Sequence, residues 1–423
     1  MEHKMNRKII FHIDVNSAFL SWSALAELEK GSKTDLRLIP SIVGGDMSKR
    51  HGVVLAKSIP AKAYGIVTGE PVINAFRKCP GLVTVAPDHA LYHRQSHRLM
   101  EYLSDICPDI EQVSIDECYM DFTPIAANYS SPEEAAAIIK DGVYKTFGFT
   151  VNVGISDKKV LAKMASDFKK PNLVHTLYSW EIQGKIWQLP VSSLFMCGHS
   201  SVETLKKLGI LTIGDLAAAD PAILEAHLKS HGLTLWNYAN GRDDSRVEVS
   251  QPEAKGIGNS TTLSSDVTSR EEAAKILLSL AESVGERLRA AHLKAGNVCT
   301  EIKYNTFRSV SHQGSLEPAS SSTEAIYRQS LALFDELWDN TPIRLLGIRT
   351  GKLADEDEPT QLSLFDYQNP LTEKQQRLDA ALDKIRKKYG NDSVLRGSLL
   401  PTESTPALSA NSHAFPKNPK NPF

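Results

Sequence analysis

The sequence predicts an α+β protein of several domains, and three observations carry that expectation. At 423 residues the chain is too long for one hydrophobic core and has room for three or four domains. Its first 175 residues mix strand-like and helix-like runs in a β-α-β-β-α-β order, with an insertion after the first helix. From Ile182 the pattern becomes all-helical, with short segments separated by glycine, and residues 256–352 return to alternating helix and strand.

The elements follow in order. Ile9–Ile13 is an apolar run long enough for a buried strand, and it ends at Asp14. Lys4, Arg7 and Lys8 precede it as in a secretory leader, but His12, Asp14 and Asn16 break the run too early for one. Ala18–Lys30 reads as a helix closed by Gly31. Residues 37–85 alternate short β-type runs (Ile39–Val43, Val53–Leu55) with Gly- and Pro-rich turns. Leu91–Cys107 predicts a helix, Val113–Phe122 a hairpin, Pro132–Thr146 a helix, Thr150–Ile155 a strand and Lys159–Phe168 a helix. Further on come Arg270–Ala291 (helix), Val298–Tyr304 (strand), Ser322–Trp338 (helix), Ile343–Thr350 (strand) and a last helical segment near 373–389. The end, from Pro401 to Phe423, is rich in Ser, Pro and Asn and reads as disordered.

Composition narrows the class. Hydrophobic content of 41% and charge of 23% are ordinary for a globular protein. No apolar stretch approaches the roughly 20 residues that cross a bilayer, so no membrane partner is expected. Cys79, Cys107, Cys118, Cys197 and Cys299 are scattered, odd in number and without C-x-x-C spacing; they suit a reduced, cytoplasmic setting and argue against zinc. A net charge of −2 gives no global sign of nucleic-acid binding. Locally, Lys145, Lys158, Lys159, Lys163, Lys169 and Lys170 fall within 26 residues and form a basic concentration.

The chemistry sits in two acidic motifs. Ile10-Phe11-His12-Ile13-Asp14-Val15-Asn16 and Ser114-Ile115-Asp116-Glu117 each place carboxylates at the end of an apolar, strand-like run. Brought together, such carboxylates make a site for a pair of divalent cations, which wait for phosphate oxygens to complete their shells. That points to phosphoryl or nucleotidyl transfer. Asp116 and Glu117 are neighbours, so both reach one ion only where the strand bends, as at a hairpin tip. The plainer alternative is an exposed turn with two charges and a strand that happens to end in Asp.

Asp14-Val15-Asn16-Ser17-Ala18-Phe19 together with Ser114-Ile115-Asp116-Glu117 resembles the two catalytic motifs of the Y-family, translesion-synthesis DNA polymerases. Asn16 is similar to the UmuC branch, where the DinB branch usually has Asp. The resemblance implies a right-hand polymerase: a ferredoxin-like palm (1–25 and 86–178), small fingers (26–85), a helix-hairpin-helix thumb (179–241), a linker (242–255) and an α+β little finger (256–352). A segment with a clamp-binding peptide and C-terminal helix (353–400) and the disordered tail (401–423) would follow.

It also implies roles. Asp14, Asp116 and Glu117 would hold two Mg²⁺ ions, with the Val15 carbonyl as a further ligand, and Asp116 and Glu117 would be catalytic. Phe19 would be the steric gate against ribonucleotides; a core aromatic on the first helix is its other reading. Ile59-Pro60-Ala61-Lys62-Ala63-Tyr64-Gly65 is similar to the fingers segment Tyr-x-Ala-Arg-x-x-Gly, with Ile59 for the Tyr and Lys62 for the Arg, so Lys62 is a candidate triphosphate contact or a surface lysine. Lys170 in Lys169-Lys170-Pro171-Asn172 falls on the family's triphosphate-binding lysine. Met196-Cys197-Gly198 and Leu205–Leu216 resemble the thumb's helix-hairpin-helix, with Gly198 set against DNA phosphates. Lys303 and Arg308, beside Tyr304 and Phe307, would lie along the duplex. Gln361-Leu362-Ser363-Leu364-Phe365 resembles the peptide that docks on the sliding clamp, with Leu364 and Phe365 as anchors and Gln361 and Leu362 beside them. The partners implied are primer-template DNA, deoxynucleoside triphosphates and the clamp, and the chain would be a monomer. The implied activity is error-prone, template-directed synthesis past damaged bases. The alternatives are a catalytically impaired DNA-binding scaffold recruited to the clamp and another two-metal palm enzyme such as a nucleotide cyclase.

Overall fold

The computed structural model describes residues 7–45, 52–250, 254–358, 371–390 and 393–397. The clamp-peptide residues Gln361, Leu362, Leu364 and Phe365, and the tail from Pro401, lie outside them. The chain divides into two compact units, one from Met1–Gly45 and Val53–Gln251 and the other from Pro252–Pro422.

In the first unit β1 (Ile10–Val15) leads into α1 (Ala18–Glu29), which Gly31 closes with a φ of 96°, a conformation that favours glycine. β2 (Ser41–Gly44), β3 (Val54–Lys57), α2 (Ile59–Ala63), α3 (Val72–Lys78) and β4 (Val83–Val85) follow. They form a small three-stranded sheet, ordered β3-β2-β4, with its own core of Ile42, Val54, Ala61, Val72, Ala75 and Leu82. α2 and α3 are too short to show a helical period, so the sequence pattern gave only strands and turns here.

α4 (His89–Ile106), β5 (Ile110–Gln112), β6 (Glu117–Asp121), α5 (Pro132–Phe147), β7 (Val151–Ser156), α6 (Lys159–Ser166) and β8 (Val174–Thr176) complete a five-stranded sheet ordered β5-β6-β1-β7-β8. β1 is central and antiparallel to both β6 and β7. Its alternation is the key to the site. Phe11, Ile13 and Val15 are buried in the large core that also takes residues of α1, α4 and α5. His12 and Asp14 therefore point to the opposite face. On that face His12 lies opposite Tyr119 and Gly154, and Asp14 opposite Glu117 and Asn152. α6 packs on the same face at Gly154, where a Cβ would sit 2.0 Å from the Ala162 carbonyl oxygen and 2.4 Å from the Ser166 amide nitrogen. Only glycine permits so close an approach of helix to strand.

α7 (Ile182–Lys185), α8 (His199–Lys207), α9 (Ile213–Ala218), α10 (Pro221–Leu228) and α11 (Ser230–Ala239) gather around Leu205, Ile213, Leu224 and Leu235. Thr212 and Asp215 form a reciprocal capping box that starts α9. The following stretch is pinned to the sheet edge: Asp243 accepts the Val160 amide at 2.9 Å. Lys159 Nζ lies 2.5 Å from Glu111 Oε2 and donates to the Arg246 carbonyl at 3.0 Å.

The second unit contains β9 (Gly258–Val267), α12 (Arg270–Ala290), β10 (Leu293–Tyr304), β11 (Ser309–Ser320), α13 (Thr323–Leu337), β12 (Ile343–Asp355) and α14 (Leu371–Tyr389). The antiparallel sheet runs β11-β10-β12-β9, and its core takes residues of α12 and α13. β9 and β11 carry polar residues in sequence because much of each strand is exposed or half-buried, so neither shows as an apolar run. α14 docks through charge: Asp379 is 1% exposed and accepts the Thr323 amide at 3.0 Å, and Arg289 on α12 pairs with Asp383 at 2.6 Å.

Candidate active site

The acids meet at the open ends of β1 and β6. The Val15 amide donates to the Asp116 carbonyl at 3.0 Å, extending the ladder into the turn. Val113 and Ser114 amides both donate to the Glu117 carbonyl, at 3.0 and 3.2 Å, so Asp116 sits in the hairpin turn and Glu117 begins the strand. The bend lets adjacent residues present carboxylates in one neighbourhood. Ser114 Oγ donates to Asp116 Oδ1 at 2.8 Å.

Each of the other two acids faces a lysine. Lys170 Nζ lies 2.7 Å from Asp14 Oδ1 and 2.9 Å from Asp167 Oδ1. Lys163 Nζ, one turn into α6, lies 2.5 Å from Glu117 Oε2, and buried His12 places Nε2 3.4 Å from the same oxygen. His12 Nδ1 shares a hydrogen bond with Ser166 Oγ at 2.9 Å.

The protonation energetics follow. Burial raises the Asp116 pKa; Ser114 opposes this, and the Asp14 and Glu117 charges add to the rise. Glu117 is instead held down to about 2 by the His12 imidazole and the Lys163 ammonium, against the cost of its burial. For Lys170 burial favours loss of the proton, but Asp14 and Asp167 outweigh it and leave the ammonium above its usual range.

Among the described residues, no three Asp, Glu, His or Cys side chains close into metal-ligand geometry; at this site Asp14 and Glu117 each turn an oxygen to a lysine. The donor set nonetheless fits a hard divalent cation. It offers carboxylate oxygens, and Asp116 is crowded toward holding a proton by burial and its acidic neighbours, a crowding that a cation relieves. Asp14, Asp116 and Glu117 are the residues that would hold it.

Around this centre Phe19 is half-buried in the first turn of α1, its ring stacked on Tyr92 at 4.5 Å. Lys62 is exposed on α2, and Lys57, which sequence reasoning passed over, has its pKa lowered by burial and then by the Lys62 charge. Gly198 is the exposed residue before α8, with open space where a Cβ would be. In the second unit Lys303 Nζ lies 5.7 Å from the Phe307 ring centroid, and Arg308 pairs with Asp339. Tyr304 belongs to the core, whereas Phe307 is 63% exposed at the hairpin tip with Arg344 at 4.8 Å. His12, Asn152 and Lys163 were not singled out from sequence as site residues. The signal for His12 was its phase with Asp14 on β1; Lys163 lay in the lysine concentration without a stated partner.

A β-α-β-β-α-β sheet with acids at neighbouring strand ends, followed by a set of short helices, is the arrangement expected of a nucleotide-polymerising enzyme. The impB/mucB/samB family matches residues 13–167, and the impB/mucB/samB family C-terminal domain matches residues 254–364. DNA polymerase IV of Clostridium acetobutylicum is 46% identical over 94% of this chain and 99% of its own length. DNA polymerase IV of Acetivibrio thermocellus is 36% identical over 93% and 98%. A solved Y-family DNA polymerase chimera of Dbh and Dpo4 superposes with a TM-score of 0.73 at 22% identity, covering 82% of this chain and 99% of its own, which speaks for the fold. The chain belongs to the Y-family DNA polymerases, on their bacterial DinB-like branch, and is a DNA-directed DNA polymerase. Asn16, the residue that resembles the UmuC branch, therefore stands in a DinB-like chain.

Proposed function

We propose that this polymerase extends a primer 3′-hydroxyl by two-metal catalysis and copies past damaged template bases with low fidelity. The observation that carries the reading is the meeting of Asp14, Asp116 and Glu117 on adjacent strand ends, with Lys163 and Lys170 as counter-charges. Asp14, Asp116, Glu117 and the Val15 carbonyl would hold two Mg²⁺ ions. Bound there, the ions supply acidification of the primer hydroxyl and neutralisation of the triphosphate.

The chain's own groups bind and orient. Lys170 takes the triphosphate oxygens in place of Asp14, and Lys62, with Lys57 beside it, adds positive charge from the small-sheet region. Phe19 packs beneath the sugar, held flat by Tyr92, and excludes a 2′-hydroxyl by shape. Lys163 and His12 keep Glu117 ionised. The α8 start at Gly198 and the hairpin at Lys303, Phe307 and Arg308 contact DNA without reading bases. Residues 361–365 dock on a sliding clamp, and the enzyme works as a cytoplasmic monomer. Five buried free thiols agree with a reducing compartment.

The test is primer-template extension with Mg²⁺ and each deoxynucleotide, on undamaged and abasic templates. Asp116→Asn should abolish extension. Robust extension by that variant would remove the metal assignment, and an inactive wild type that still binds DNA would favour the scaffold alternative.

A further inference from the structure

Two buried asparagines tie the Lys170 loop to the strand that bears Asp14. Asn16 lies two residues beyond Asp14, in the turn just past β1, where its amide donates to the Thr150 carbonyl at 2.9 Å, and it is 7% exposed; Asn152, opposite Asp14 on β7, is 0% exposed. Asn16 Nδ2 donates to Asn152 Oδ1 at 3.1 Å. Asn16 Oδ1 accepts the Asn172 amide at 2.9 Å and the Thr150 hydroxyl at 2.9 Å. Asn152 Nδ2 donates to the Ser166 carbonyl at 3.0 Å and the Lys169 carbonyl at 2.7 Å, and its Oδ1 also accepts the Leu173 amide at 3.2 Å. The backbone on both sides of Lys170 is thus held at Lys169, Asn172 and Leu173. Asn16 also accepts the Ser21 hydroxyl on its own carbonyl at 2.7 Å, which fixes the first turns of α1, where Phe19 sits.

We propose that the Asn16–Asn152 pair is a positioning device for nucleotide binding, setting where Lys170 meets the triphosphate relative to Asp14 and the Phe19 ring. The proposal rests on the reading of Lys170 as a triphosphate contact. Every polar atom of the pair is committed, so neither amide can turn over without stranding buried partners. The pair also explains why Asn rather than Asp suits position 16 in this chain. A carboxylate would keep the bonds from Asn172 and Thr150 but set an oxygen against Asn152 Oδ1, where an N–H now donates. Asn152 cannot answer by flipping, because its own N–H groups hold two carbonyls.

The experiment measures the dissociation constant of the correct deoxynucleoside triphosphate on a dideoxy-terminated primer-template, so that no chemistry intervenes. Lys170→Ala, Asn16→Ala, Asn152→Ala and the Asn16→Ala/Lys170→Ala double variant are compared. Each single variant should weaken triphosphate binding about tenfold, while affinity for primer-template alone stays within about twofold. The double variant should be no weaker than Lys170→Ala, because Asn16 acts through that lysine. Asn16→Asp, which preserves shape, should also weaken binding, and is read instead if Asn16→Ala does not fold. Additive losses in the double variant would overturn the proposal, as would unchanged binding in Asn16→Ala beside a weakened Lys170→Ala. Unchanged binding in Lys170→Ala would remove the triphosphate reading itself, and the proposal with it.

Discussion

Gly154→Ala tests whether the contact between α6 and β7 sets the catalytic face. The added carbon would lie 2.0 Å from the Ala162 carbonyl oxygen, 2.4 Å from the Ser166 amide nitrogen and 3.0 Å from Ala165 Cβ. Non-bonded carbon contacts sit at about 3.5–4.0 Å, so α6 must lift by more than about 1 Å. The obstacle is helix backbone, which cannot rotate aside as a side chain can, so the cost belongs near the upper end of overpacking, about 3 kcal/mol. For a unit of this size that lowers the melting temperature by about 6–12 °C. The same shift moves Lys163 off Glu117 and Ser166 off His12 and Asn152, and a displacement of about 1 Å at a catalytic face can cost about a hundredfold in kcat/KM. Circular-dichroism melting and steady-state primer extension read the two effects. Gly184→Ala, whose added carbon meets nothing within 4 Å, is the matched control. A Gly154→Ala variant that melts within about 2 °C of the wild type and extends at the wild-type rate would refute the packing account.

Phe19→Ala should raise ribonucleotide incorporation roughly tenfold or more while retaining deoxynucleotide extension, measured as the ratio of the two kcat/KM values; unchanged discrimination removes the gate role. In metal-free buffer Glu117 ionises near 2 in the folded chain against an ordinary 4.5, so its stabilisation is complete above about pH 4.5 and is lost as pH falls toward 2. After allowing for partial solvent screening it is worth about 1–2 kcal/mol. The denaturation gap between wild type and Glu117→Gln should therefore be equal at pH 7 and pH 5 and narrow below pH 4.5, and a gap undiminished at pH 3 would contradict this. Replacing Leu364 and Phe365 together by Ala should leave basal extension intact and abolish stimulation by the sliding clamp. This double substitution is preferable to truncation after Glu358, which would also remove α14 and strand Arg289 and Glu282 without their partners.

Local pattern made much of this molecule legible. The apolar run Ile9–Ile13 ending at Asp14 announces a buried strand, and the spacing of Ser114 to Glu117 between apolar runs announces a hairpin tip. Both are short-range properties of neighbouring side chains, and they survive without knowledge of the rest of the chain. The partners of those residues are long-range. Lys163 reaches Glu117 only because Gly154 lets α6 settle on β7, and Asn152 faces Asp14 only through the strand register. The helix at 371–389 was visible in the sequence, but that it buries Asp379 and Arg386 while leaving Leu378, Ile385 and Tyr389 exposed depends on the charges of α12. Tyr304 and Phe307 look alike along the chain, yet one fills the core and the other caps a turn. The sequence by itself determined which residues carry acid, base and ring, because those are properties of single side chains and their nearest neighbours. Tertiary structure decided which of them meet, because contact between residues over a hundred positions apart depends on how sheets and helices pack.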